Sequence, residues 1–231
     1  MGNLLTSTIG RKLIMSVSGL FLVLFLLFHM SMNLAAVFST EAYNAICEFL
    51  GANWYALAGT LILAAGVVVH LVYATVLTLH NRSSRGSQRY AMTAEPEGVT
   101  WASRNMYVLG IIIVLGLLLH FWYNMQFAEI IGNHELGPFP PADGAAYIAA
   151  LFSSPVYCII YLVWFAAIWF HLTHGFWSAF HTIGWDNQTW LPRLKRIANV
   201  VATIVFLCFA LVVIVFYLRS LGVCGGSCAG F

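Results

Sequence analysis

Residues 164–177 read Trp164-Phe165-Ala166-Ala167-Ile168-Trp169-Phe170-His171-Leu172-Thr173-His174-Gly175-Phe176-Trp177. Two histidines stand one helical turn apart in a run of otherwise mostly apolar and aromatic residues. Imidazole in hydrocarbon is costly unless its nitrogens find partners, so a histidine at membrane depth points to function. Three further apolar runs carry one histidine each, at His29, His70 and His120.

The composition sets the environment. Of 231 residues, 61% are hydrophobic and only 8% charged, against about 25% charged in a soluble domain. That describes an integral membrane protein, and residues 1–231 read as one domain with no internal repeat. No basic stripe with interleaved aromatics lies outside the apolar runs, which argues against nucleic-acid binding. A membrane span needs about 20 apolar residues. Five runs meet this, roughly Leu13–Phe38, Trp54–Leu79, Asn105–Phe127, Val156–His181 and Ile197–Leu218. Each must be a helix, because an open strand cannot satisfy its backbone in lipid. The expected fold is therefore an all-α bundle of five transmembrane helices.

Basic residues orient the bundle. Arg11 and Lys12 precede the first run. Arg82, Arg85, Arg89 and Arg104 lie between the second and third, and Arg193, Lys195 and Arg196 between the fourth and fifth. The opposite side has only Arg219, with Glu41, Glu48, Glu129, Glu135 and Asp143. This places the N-terminus in the cytoplasm and the C-terminus outside. The first run is too long for a signal-peptide core and lacks a convincing cleavage site. Between Ser39 and Asn53, Ala42, Ile46, Phe49 and Leu50 recur at helical spacing, predicting a short amphipathic helix on the external surface. Residues Ile131–Pro155 are rich in glycine and proline without periodicity and read as a cap or a linker. The loop Asn81–Ser103 reads as orientation charge with lipid contact or as a docking face for a soluble partner.

Depth sorts the histidines. A helix rises about 1.5 Å per residue, which puts His29 about 24 Å and His120 about 22 Å from the cytoplasmic ends of their runs. His70 and His171 lie about 14 and 15 Å from theirs. The four fall into two layers, His29 with His120 and His70 with His171, each drawing on two different runs. Facing neutral imidazoles can sandwich a haem iron and fill both axial positions, which favours electron transfer over oxygen chemistry. A lone intramembrane histidine has a plainer reading, bonding a backbone carbonyl, but four in two layers fit axial ligation better. A proton relay is disfavoured because the spans hold almost no Asp or Glu. Spacing alone leaves His174 competing with His171. His80 and His181 sit at cytoplasmic helix ends, as interface residues or contacts to haem propionates, and His134 reads as an ordinary loop residue.

Other features carry less. Gly19, Gly59, Gly66, Gly110, Gly116 and Gly175 offer clearance for a flat macrocycle, though glycine is common in membrane helices. Trp54, Trp101, Trp185 and Trp190 fit an aromatic belt. Cys158 and Cys208 lie in apolar runs as small hydrophobes. Cys224 and Cys228 belong to a glycine-rich tail, and with Cys47 they complete the five cysteines. No Cys-x-x-Cys-His occurs, which excludes covalent c-type haem attachment.

Two motifs give a resemblance. Ser16 to Met30 reads Ser-Val-Ser-Gly-Leu-Phe-Leu-Val-Leu-Phe-Leu-Leu-Phe-His-Met, and His171 begins His-Leu-Thr-His-Gly-Phe-Trp. With the helix count and histidine order, the chain resembles the dihaem cytochrome b membrane anchors of the succinate dehydrogenase/fumarate reductase family. The second motif matches a ligand histidine, three residues, glycine, an apolar residue and an aromatic, which selects His171 over His174. The resemblance implies two b haems and a quinone, with menaquinone expected. It also implies a flavoprotein and an iron–sulfur partner on the cytoplasmic face, in the cytoplasmic membrane of a prokaryote. It places the quinone site near the external haem with an acidic residue handling protons, a position near Glu48. Family members often carry Lys or Arg near the cytoplasmic end of the fourth helix to neutralise propionates. Here that segment is Ser178-Ala179-Phe180-His181-Thr182, and Ser16, Arg104 and His181 are the substitute candidates. Two other readings stand beside this one: a haem-free transporter with a histidine-lined cavity, and a cytochrome b of another oxidoreductase such as a hydrogenase.

Overall fold

A computed structural model of the chain describes residues 7–51, 54–84, 99–123, 139–140, 142–185 and 187–223. Among these are eight helices: α1 (Thr8–Phe38), α2 (Thr40–Gly51), α3 (Trp54–Ser84), α4 (Trp101–Arg104), α5 (Met106–Tyr123), α6 (Gly144–Phe152), α7 (Pro155–Thr182) and α8 (Trp190–Ser220). Four contain segments long and apolar enough to cross a membrane, those in α1, α3, α7 and α8; α5 is apolar but shorter. At 18 residues α5 extends about 27 Å, close to the hydrocarbon thickness.

The longest helices run past their apolar stretches at the end that carries the basic residues. α1, α3 and α8 have 31 residues each, about 46 Å. The extra turns hold the charged residues, such as Arg11 and Lys12 in α1 and Arg193, Lys195 and Arg196 in α8. The caps are local. The Ser7 hydroxyl accepts from the Gly10 amide at 3.1 Å, and Pro155 occupies the first turn of α7, where its missing N–H costs nothing. Ser39 joins two helices: its amide donates to the Ala35 carbonyl, and its Oγ accepts from the Ala42 amide at 3.0 Å to start α2.

α7 and α8 form the most extensive helix pair, and α1 packs on α3, α7 and α8, while α5 lies on α7. Where α1, α7 and α8 meet, the core holds Val23, Phe165, Val205, Phe209, Val213 and Phe216. Ala36, Ala198 and Ala202 are fully enclosed, and small residues of this kind let helix backbones approach closely. Outward-facing side chains are equally apolar: Leu24, Leu61, Val163 and Leu207 are all more than half exposed, as suits a lipid-facing wall. Arg219, the lone basic residue expected at its end of the bundle, caps α1. Its two Nη atoms donate to the Ala36 carbonyl at 3.3 Å and the Val37 carbonyl at 2.8 Å.

The predicted amphipathic helix is α2, and a different face of it packs on the protein. Phe49 is 63% exposed, whereas Tyr43 and Cys47 face Gly144, where an added Cβ would strike the Cys47 sulfur. Burial pushes the Tyr43 phenol and the Cys47 thiol above their usual ranges. The stretch expected as a cap or linker contains α6. Asp143 Oδ1 accepts from the Ala146 amide at 3.2 Å and from Asn44 Nδ2 at 2.8 Å, and Asn44 Oδ1 accepts from the Ala145 amide at 2.9 Å. This bridge ties α2 to α6. Arg85, Arg89, Glu129, His134, Glu135, Cys224 and Cys228 lie outside the described residues.

Candidate cofactor site

The four histidines sorted by depth come together in the two expected couples. The His29 and His120 rings, from α1 and α5, have centres 5.9 Å apart with planes at 86°. The His70 and His171 rings, from α3 and α7, have centres 6.4 Å apart at 72°. Ser18 of α1 contacts His70, and His29 lies eleven residues further along that helix, so the layers are about 16 Å apart.

These separations suit a metal ion between the rings of each couple. An imidazole nitrogen binds a transition metal at about 2 Å and its ring centre lies about 1 Å behind, so two imidazoles on opposite sides of one ion have centres about 6 Å apart. Among the described residues, no group of three or more His, Cys, Asp or Glu side chains converges. A couple of two histidines without further ligating side chains would suit a group, such as a tetrapyrrole, that brings most of the metal's ligands itself.

The lower couple has a small-residue cradle. An added Cβ on Gly19 would lie 3.1 Å from His70 Cε1, and one on Gly110 or Gly175 would lie 3.9 Å from the His171 ring. Only at Gly19 would a Cβ press on a ring; at Gly110 and Gly175 it would make an ordinary contact. The His70 ring is bonded through Nδ1 to Ser18 Oγ at 3.3 Å. Nδ1 of His171 is buried without a hydrogen-bond partner among the described residues. An orphaned buried nitrogen costs about 1–3 kcal/mol, a cost that a bound group can relieve.

Aromatic rings wall the upper couple. Phe25 stacks on His29 at 5.4 Å, and Phe209 lies 6.0 Å from it. Trp164 and Tyr161 flank His120 at 5.8 and 6.4 Å. Trp164 is held by its indole N–H, which donates to the Ile113 carbonyl at 3.0 Å, and it rests against Gly116, where any Cβ would collide with it. Asn33 Nδ2 donates to the His29 carbonyl at 2.8 Å and lies 3.3 Å from His29 Nε2. Metal binding at that nitrogen requires the amide to keep only its shorter bond. The Tyr43 hydroxyl donates to Asn33 Oδ1 at 3.3 Å, linking α2 to the upper couple.

The remaining expected residues lie apart from the rings. His174 sits one turn beyond His171, edge-on to Trp177 at 4.9 Å, with its Nδ1 also unpartnered among the described residues. Ser16 is 7% exposed. Arg104 ends α4 and His181 lies in the last turn of α7, both exposed. Glu48 is exposed on α2 and lines an open polar hollow with Glu41, Asn44, Pro140 and Asp143. Sequence reasoning missed Ser18, because a serine in an apolar helix commonly bonds its own backbone. It also missed Lys195, whose ammonium lies 4.8 Å from the Trp177 ring centre beside His174.

Comparison with known proteins adds one relative. The chain is 25% identical over 190 residues to the succinate dehydrogenase cytochrome b558 subunit of Bacillus subtilis (strain 168), spanning 82% of this chain and 85% of that protein. No family model matches the chain, and no solved structure does.

Proposed function

We propose that this chain is the membrane-anchor cytochrome b subunit of a succinate:quinone oxidoreductase. It would carry electrons through two b haems between a flavoprotein/iron–sulfur pair on its basic face and a membrane quinone, with menaquinone expected. The observation that carries the reading is the meeting of His29 with His120 and of His70 with His171 at ring separations suited to bis-imidazole ligation. The likeness to a succinate dehydrogenase cytochrome b558 subunit supports the choice of complex. In this reading five helices span, including α5. The N-terminus is cytoplasmic, the C-terminus is external, and the membrane is a prokaryotic cytoplasmic membrane.

Bound haem supplies a one-electron carrier at each level. The chain supplies the rest. His29 with His120, and His70 with His171, would hold the haem irons through neutral imidazoles, leaving no coordination site open to oxygen. Phe25, Trp164 and Phe209 keep water from the upper couple. A quinol that loses two electrons must also release two protons, and Glu48, exposed beside the polar hollow, is the carboxylate proposed to take them. Ser16, Arg104 and His181, towards the basic end of the bundle, are the proposed partners of the propionates. Charge moved across the bilayer works with or against the membrane potential, at about 2.3 kcal/mol per charge per 100 mV.

Adding succinate to native membranes tests the assignment. Reduction of the b-type absorbance, with the flavoprotein and iron–sulfur subunits retained on purification of this chain, is the expected result. A haem spectrum that succinate leaves oxidised while another donor reduces it would assign the chain to a different oxidoreductase. Absence of any Soret band would favour the histidine-lined transporter.

A further inference from the structure

Ser18 is one of two polar residues buried in the described core, at 9% exposed. Its hydroxyl has a donor and an acceptor role available, and its surroundings assign both. Ser18 Oγ lies 3.0 Å from the Met15 carbonyl and 3.3 Å from His70 Nδ1. A carbonyl only accepts, so the hydroxyl hydrogen goes to Met15. The lone pair of Oγ that remains can only accept. The neighbour of the ring nitrogen is therefore an acceptor, which makes Nδ1 the protonated nitrogen. Gly19 completes the arrangement from the same turn, because any Cβ there would press on His70 Cε1.

We propose that Ser18 is a positioning residue for His70: its hydroxyl, anchored on the Met15 carbonyl, accepts from Nδ1–H and so holds the ring in the tautomer whose Nε2 lone pair is free. This rests on the proposed function, in which His70 is an axial ligand. A ligand imidazole that donates its second N–H becomes more basic and stabilises the oxidised iron. The two layers then differ by construction. His70 has a hydroxyl acceptor, whereas the contact at His29 is an amide donor, Asn33 Nδ2.

The test is a redox titration of the purified complex, following both haems, in wild type, Ser18→Ala and Ser18→Thr. In Ser18→Ala, one haem is expected to become easier to reduce by about tenfold in its equilibrium constant, about 59 mV for one electron. The other haem stays unmoved, and Ser18→Thr, which keeps the hydroxyl, restores the wild-type value. Where Ser18→Ala does not accumulate, Ser18→Cys serves, with a smaller shift in the same direction expected from its weaker acceptor. Two unmoved potentials in the variant that accumulates, or a shift in Ser18→Thr as large as in Ser18→Ala, overturns the role of Ser18. Failure of the underlying ligand assignment reads differently: His70→Ala would then keep both haems.

Discussion

His171 and His174 differ by one turn of α7, and that turn gives the two rings different neighbours. His171 faces His70, while His174 turns its ring to Trp177 and lies near Lys195. Both leave Nδ1 unpartnered among the described residues, so hydrogen bonding alone does not choose between them; the opposing His70 imidazole is what favours His171 in the proposed function. His174→Phe is accordingly expected to keep both haems, with the absorbance of the purified complex per chain within error of wild type. Loss of one haem in that variant would move the ligand role to His174. The choice was not legible from spacing, because two histidines three residues apart lie on overlapping helix faces. The motif resemblance favoured His171, and the facing ring of His70 agrees with it.

Among the elements, α5 and α7 show how a single small residue sets a contact. Gly116 of α5 receives the Trp164 ring of α7, and that ring flanks His120. Gly116→Val would force Trp164 off its bond to the Ile113 carbonyl. Overpacking of this kind costs about 1–3 kcal/mol. The expected outcome is a lower melting temperature of the complex, with the haem next to His120 lost ahead of the one next to His70. Equal stability and an unchanged spectrum would show that Trp164 does not wall the site. Legibility also varied between elements. The long helices were readable from hydropathy because the lipid demands an unbroken apolar run. Their ends were not, since the charged turns continue as helix beyond the membrane. α6 was hidden because nine residues in a glycine- and proline-rich stretch carry too few turns for periodicity. Its start depends on the Asn44–Asp143 bridge across 99 residues of chain, which no local pattern encodes. The protein-facing side of α2 was not legible for the same reason: Tyr43 and Cys47 pack because α6 brings Gly144 against them.

For the whole molecule, the arrangement is an apolar bundle with a basic end, a polar end closed by α2 and α6, and two imidazole couples stacked about 16 Å apart between them. The sorting of histidines into layers was legible because helix rise converts sequence position into depth. The hydroxyl beneath His70 and the aromatic wall around His120 were not, since they depend on how four helices rotate against one another. Each couple is proposed to hold one haem. Haem b determined per chain, on complex purified from native membranes, tests it most directly. Two haems in wild type and about one in each of His29→Ala, His70→Ala, His120→Ala and His171→Ala is the predicted result. Two haems retained in all four variants, or none in wild type, would contradict it.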